Sequence, residues 1–284
     1  QMGIENLIIL SDFDQTITGF GTKEAPQPAS FGIIRKSKHV SPNFNVELTR
    51  LFEKYQPYEH NMTIDQNLKL QMIEEWNCLV QKIFNEEKIS KSQINDSLNV
   101  SNLRIRYFFK ELIGQCKEIN LPFYIISGGL SPIIASCMEE LVGNPQEYPN
   151  LFIFCNEGYF NEEEKLHKIN MVVNTNSKQL LVSKKQFNLR KNVFLFGDYQ
   201  HDIFMKKDTE CENAVCVMFV RENLDQNEIS VLKNEWDALI VGEGNFILHQ
   251  MLLNFVSGGQ FFNFQEEFNQ EEQNLQEIKD IIFK

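Results

Sequence analysis

The sequence predicts an α/β protein with a doubly wound, parallel-sheet (Rossmann-like) core and an inserted helical unit. Three observations predict it. Short aliphatic runs without polar alternation recur along the chain, as in strands buried on both faces. Helical patterns lie between the later runs, the alternation of a doubly wound fold. The interval between the first run and the second is far longer than an ordinary crossover and carries helical but no convincing strand signal.

The run "NLIIL", ending at Leu10, reads as the first buried strand, with Asp12, Asp14 and Thr16 just beyond its carboxyl end. Residues 23–106 read as the inserted, mainly helical unit, which makes residues 1–22 and 107–258 a discontinuous core. Within the insert, Ser41-Pro42 opens a helix with Phe44, Leu48, Leu51, Phe52 and Tyr55 at helical spacing. The stretch from Thr63 to Gln66 is a capping-box pattern for a second helix, whose Leu68, Met72, Trp76, Leu79, Val80 and Ile83 share one face. A third helical candidate, "NLRIRYFFKELIGQCKEI", leads back to the sheet. These apolar stripes read as packing.

"PFYII" then reads as the second strand, followed by Ser127-Gly128-Gly129 and by a helix opened by Ser131-Pro132. "VFLF", "AVCVMF" and "ALIV" complete the set of strong strand candidates, and Asp198 and Asp202 follow "VFLF". Residues 259–284, acidic and rich in Gln, read as a terminal tail or helix without chemistry.

Composition excludes several function classes. At 284 residues the chain can bury a substantial core. No apolar run approaches the roughly 18 residues that a membrane span needs. The start "QMGIENLIIL" lacks a basic stretch and is a poor signal peptide, with Gln1 before Met2 reading as an added residue, so a cytoplasmic location is expected. The six cysteines form no C-x-x-C pair and read as reduced thiols. A formal charge of -12 argues against polymeric nucleic acid or an anionic membrane as partner. A small anionic substrate fits if a metal offsets the local charge, and a monomer is expected. His60 and His201, beside loops, read as polar surface.

Asp12 and Asp14 with Thr16, Ser127 with Gly128, and Asp198 with Asp202 each follow a strand, and Lys178 lies between the second and third clusters in chain order. Each cluster alone is an ordinary turn or helix entry; their shared position at strand ends carries the information. The chemistry that needs this set is phosphoryl transfer through an aspartyl phosphate. Two like charges about 4 Å apart repel by roughly 4 kcal/mol at an effective dielectric of about 20, so a carboxylate attacks a phosphate only beside counter-charge. Mg²⁺ held by Asp12, the Asp14 carbonyl and Asp198, with Asp202 behind, would supply it, together with Lys178. Thr16, Ser127 and the Gly128 amide would bind phosphate oxygens, Asp12 would be the nucleophile and Asp14 the general acid and base. A receiver domain gathers similar groups, but the insert and Asp14 argue against one.

The motifs "DFDQT", "ISGG", Lys178 and "GDYQHD" resemble the four signatures of the haloacid dehalogenase superfamily, and the insert resembles its cap of the first type. More narrowly, "FEKYQPYE", "MIEEW", "NTNSK" and "GDYQHD", in this order, resemble the cytosolic pyrimidine 5'-nucleotidase family from about Asn6 to Val256. The resemblance implies a magnesium-dependent hydrolase of nucleoside 5'-monophosphates, with Glu59 reading the base and an aromatic such as Tyr58 or Trp76 stacking on it. Transfer of phosphate to a second nucleoside stays open. A carboxylate reader favours bases that present N–H groups, which predicts that CMP and 7-methylguanosine monophosphate exceed AMP as substrates. The alternatives are a phosphoserine- or phosphocholine-type phosphatase of the same superfamily and a non-catalytic phosphate-binding relative. Tyr199 and His201 depart from the family's small residues, and "SGGLSP" from its second motif.

Overall fold

The computed structural model describes residues 4–60, 64–171, 173, 178, 190–206, 211–257 and 281–283. Among them, eight strands form one sheet: β1 (Leu7–Ser11), β2 (Phe123–Leu130), β3 (Leu151–Phe160), β4 (Leu166–Asn170), β5 (Asn192–Gly197), β6 (Asn213–Val220), β7 (Ala238–Val241) and β8 (Ile281–Phe283). Their order is β4-β3-β2-β1-β5-β6-β7-β8. All neighbours pair in parallel except β4 on β3 and β8 on β7, at the two edges. The chain runs outward from β1 through β2 and β3 on one side and through β5, β6 and β7 on the other. The topological switch point therefore lies beside β1, where a doubly wound sheet opens a ligand crevice at its carboxyl edge.

Strand β1 is buried on both faces, which is why its sequence shows no alternation. Leu7 and Ile9 join one apolar core with α-helical residues of the insert, while Ile8 and Leu10 join a second core with Val193, Leu195 and Trp236. Register aligns Ser11 with Ile125 on β2 and with Phe196 on β5, so the carboxyl ends of the three strands share one edge; Ser127, Gly128 and Gly129, expected beyond the second strand, lie within β2 itself.

Between β1 and β2 lie α1 (Ser30–Arg35), α2 (Pro42–His60), α3 (Gln66–Glu87), α4 (Lys91–Asn99) and α5 (Phe109–Glu118). Phe44 of α2 and Phe31 of α1 meet the Phe84 ring of α3 edge-on, at 5.1 and 5.8 Å between centroids. Gln81 of α3 donates to the Ile169 carbonyl of β4, which ties the insert to the edge of the sheet. Three further helices, α6 (Ser131–Leu141), α7 (Gln226–Glu235) and α8 (Ile247–Val256), follow β2, β6 and β7.

The structure departs from the sequence reading in several places. Helix α3 starts at Gln66 with Asp65 as its N-cap, accepting from the amides of Asn67 and Leu68, and Thr63 lies outside the described residues. The third predicted helix shortens to α5, because Ile105 bridges Thr18 in the extended chain before it. Strands β3 and β4 and helices α1 and α4 are additions. The tail holds a strand where a tail or helix was expected: Ile281–Phe283 pairs with the open edge of β7, a place suited to β-branched and aromatic residues. Residues 258–280 lie outside the described set. All six cysteines are free, and Cys116, Cys137 and Cys216 are buried. His201 is buried against Tyr199 and Phe204, not on the polar surface, and the His60 side chain lies outside the described set.

Candidate active site

Strand ends bring together the residues that the sequence scatters over almost two hundred positions. Asp12 leaves β1 with its amide bonded to the Phe196 carbonyl of β5 (3.0 Å). Lys178 donates from Nζ to Asp12 Oδ1 at 2.6 Å and to Asp202 Oδ1 at 2.8 Å, with all three side chains buried. Asp202 Oδ2 in turn accepts from the amides of Tyr199 (3.1 Å) and Asp198 (3.3 Å), which fixes the loop after β5. Gly197 is required here: a Cβ on it would lie 2.6 Å from Asp202 Cβ.

Ligand oxygens of Asp12, Asp198 and Asp202 all lie within 4.8 Å of one another. Burial pushes the Asp12 carboxyl up to about 7, opposed by Lys178 and reinforced by Asp202. Burial also drives Asp198 well above the carboxylate range, with Asp12 and Asp202 adding repulsion. For Lys178, burial works against the charge, but Asp12 and Asp202 outweigh it and hold the ammonium above the ordinary lysine value. One ammonium thus faces three gathered carboxylates, with Asp14 close by. This excess of buried negative charge on hard oxygen donors fits a divalent cation such as Mg²⁺.

Asp14 is held from the insert. Its Oδ1 accepts from the Ser30 amide and its Oδ2 from the Ser30 hydroxyl, both at 2.7 Å. Burial raises its pKa, with the Ser30 bonds opposing. Ser30 was not legible in the sequence, being one small residue in a segment with no motif. It also accounts for Gly129, whose Cβ would sit 2.5 Å from Ser30 Oγ.

Two further buried side chains brace the site without a sequence signal. Asn156 of β3 donates to the carbonyls of Gly128 (2.7 Å) and Val173 (2.9 Å) and accepts from the Val173 amide. It thereby joins the carboxyl end of β2 to Val173. The Arg106 guanidinium donates to the carbonyls of Gln15 (2.7 Å) and Thr16 (2.9 Å), between the rings of Phe20 and Phe219 at 4.7 and 4.1 Å. Burial lowers it to about 10, which leaves it charged at neutral pH. This fork secures the turn after Asp14, in which Gln15 has φ of 63°.

The carboxylate cluster opens into a cavity of about 860 Å³. Asp12, Asp14, Gly128, Lys178 and Asp198 line one end. The helical wall is formed by Arg35 and Lys36 at the end of α1, by Leu48, Phe52, Gln56 and Glu59 on one face of α2, and by Ile73, Trp76, Asn77 and Val80 of α3. Trp76 stacks on Tyr55 at 6.0 Å and meets Phe52 edge-on at 6.4 Å. Tyr199 lines the cavity too, and burial, followed by the charge of Glu59, raises its phenol to about 12.

Three predicted site residues take other places. Tyr58 is absent from the cavity wall because it falls off the α2 face that carries Phe52, Gln56 and Glu59. Thr16 is fully buried, and its hydroxyl donates to Asp198 Oδ1 at 3.2 Å instead of facing the cavity. Ser127 is buried as well, its Oγ accepting from the Gly129 amide at 3.0 Å.

Comparisons with known proteins agree with this geometry. A human 7-methylguanosine phosphate-specific 5'-nucleotidase is 27% identical over 232 residues, 79% of this chain and 76% of that protein. A crystal structure of cytosolic 5'-nucleotidase IIIB bound to cytidine superposes with a TM-score of 0.74 at 22% identity, covering 90% of this chain and 88% of that one. A substrate-bound phosphoserine phosphatase gives a TM-score of 0.50 at 16% identity, covering 87% and 96%, in accord with a haloacid dehalogenase fold. The sequence profile of the pyrimidine 5'-nucleotidase (UMPH-1) family matches residues 15–257, starting just after Asp14. The chain belongs to the pyrimidine 5'-nucleotidase family and is an enzyme of the phosphoric monoester hydrolase class.

Proposed function

We propose that the enzyme hydrolyses nucleoside 5'-monophosphates in two steps through a phosphoryl group carried on Asp12. The observation that carries this reading is the pairing of Asp12 with Lys178 at 2.6 Å at one end of a cavity whose helical wall carries Phe52, Trp76 and Glu59. In the first step an Asp12 carboxylate oxygen attacks phosphorus. The bond from phosphorus to the 5' oxygen breaks, its electron pair stays on that oxygen, and Asp14 supplies the proton. In the second step Asp14 takes a proton from water, whose oxygen attacks phosphorus and breaks the bond to Asp12. Lys178 offsets the charge that gathers on Asp12 and the phosphoryl oxygens. Asp12, Asp198 and the Asp14 carbonyl would hold Mg²⁺, with Asp202 supporting Lys178 and the loop; the ion supplies divalent counter-charge.

Helices α1 to α4, within the insert, act as a cap that presents Glu59 and Trp76 to the base. The name of the human relative supports a nucleotide over phosphoserine, as does the aromatic cap wall. A cytosolic location accords with the name of the cytidine-bound neighbour, and no helix among the described residues is long and apolar enough to cross a membrane. A hydrolysis panel of CMP, UMP, 7-methylguanosine monophosphate, GMP and phosphoserine, with Mg²⁺ and with excess chelator, tests the reading. Magnesium-dependent turnover of the nucleotides ahead of phosphoserine is expected. Preference for phosphoserine, or full rates in chelator, would overturn it.

A further inference from the structure

The nucleotide reading leaves two base classes, and they differ in charge: a pyrimidine is neutral, whereas 7-methylguanine carries a positive ring. The cavity wall away from Asp12 is itself charged. Arg35, the last residue of α1, lies with its guanidinium carbon 4.0 Å from the Phe52 ring centroid, and Phe52 in turn meets Trp76 at 6.4 Å. All three line the cavity, with Lys36 beside them. Arg35 is part-buried; burial works against its charge and Glu53 favours it. A guanidinium stays protonated under such pressure. It forms no salt bridge among the described residues, so its charge is not cancelled by a bonded carboxylate.

The acid on the same wall is partly engaged already. The charge of Glu59 acts on the buried ammonium of Lys69, favouring its protonated form, and on the Tyr199 phenol. The aromatic end of the cavity therefore holds Arg35 and Lys36 against the shared Glu59 carboxylate, with Glu53 acting on Arg35 from outside the cavity wall.

Resting on the nucleotide reading above, we propose that Arg35 sets base selectivity, favouring neutral pyrimidines and disfavouring the cationic 7-methylguanine. A cationic ring seated beside Phe52 and Trp76 would meet a like charge held over the Phe52 ring, in a site with reduced access to water. A pyrimidine instead brings its O2 carbonyl, an acceptor that a guanidinium N–H can serve. Selectivity by repulsion of the competitor is as effective as selectivity by attraction of the substrate.

The test is kcat/KM for CMP and for 7-methylguanosine monophosphate in the wild-type enzyme and in Arg35→Lys, Arg35→Gln and Arg35→Glu, with thermal midpoints to confirm folding. The wild type should prefer CMP. The CMP to 7-methylguanosine monophosphate ratio should persist in Arg35→Lys, fall about tenfold in Arg35→Gln and fall further in Arg35→Glu, chiefly through KM. A ratio unchanged within about twofold across the three variants would overturn the proposal, as would a wild-type preference for 7-methylguanosine monophosphate. Phosphoserine hydrolysed ahead of both nucleotides would overturn the nucleotide reading itself.

Discussion

The two ends of the cavity are built on opposite plans. At the phosphate end, charged groups leave rigid strands, are buried, and are held by several bonds each: Asp202 serves Lys178 and two backbone amides, and Asp14 takes both its bonds from Ser30. At the aromatic end, proposed to take the base, Arg35, Phe52 and Trp76 project from the insert's helices, remain part-exposed, and meet through contacts of 4.0 and 6.4 Å. The difference teaches which part of such an enzyme tolerates change. An over-determined end would keep its chemistry, whereas a wall of ring faces and single charges is where one substitution would change the ligand.

The largest effect that would sharpen this contrast is at the nucleophile. Asp12→Asn keeps the shape but cannot form an acyl phosphate, and should lower kcat at least about a thousandfold on every substrate, with the fold retained by circular dichroism. Near-wild-type rates in the purified variant would break the contrast at its root. Next in size is Glu59→Ala, which should lower kcat/KM for CMP by a factor equivalent to roughly 1.5–3 kcal/mol relative to a base-less phosphate ester. Equal losses on both substrates would mean that Glu59 supports the fold or the chemical step.

Smaller again is Ser30→Ala. It removes the hydroxyl donor to Asp14 and leaves the backbone one, so kcat should fall about tenfold with KM little changed in steady-state kinetics. An unchanged kcat would show that the Ser30 hydroxyl is not needed to position Asp14.

The remaining effect is on stability and not on rate, and concerns the packing behind the phosphate end. His249 is fully buried among Phe196, Phe219 and Phe246, at ring distances of 4.1, 5.6 and 4.6 Å, and burial lowers its pKa to about 3. Because the folded value lies below the unfolded one, the unfolded chain binds the extra proton. Stability from this residue is therefore intact above about pH 6.5 and is lost as pH falls towards 3, by at most about 1.4 kcal/mol per pH unit. Urea unfolding at pH 7 and pH 5 should show a smaller acid loss in His249→Met than in the wild type; an identical loss would remove His249 from the account.

The same contrast explains what the sequence made legible. Asp12, Asp198 and Asp202 are legible because a buried strand is a continuous apolar run and the residues after it emerge at the sheet edge, whereas Lys178 follows no such run and is marked only by its place in the chain and by the "NTNSK" resemblance. Helix α2 was equally plain as a helix, but which face looked into the cavity was not: Tyr58 and Glu59 are adjacent in sequence and only Glu59 reaches it. Strand β3 is less legible because Asn156, Glu157 and Gly158 interrupt its apolar run after Cys155. The contacts of Ser30, Asn156 and Arg106 join segments far apart in the chain, and no local pattern announces such pairings.

The covalent phosphoryl group on Asp12 is the centre of the account, and rapid quench during turnover of CMP tests it most directly. Acid-quenched enzyme, treated with borohydride and mapped by mass spectrometry, should show Asp12 reduced to homoserine only when substrate and Mg²⁺ were present. Unmodified Asp12 under those conditions, with reduction at another carboxylate or at none, would contradict it.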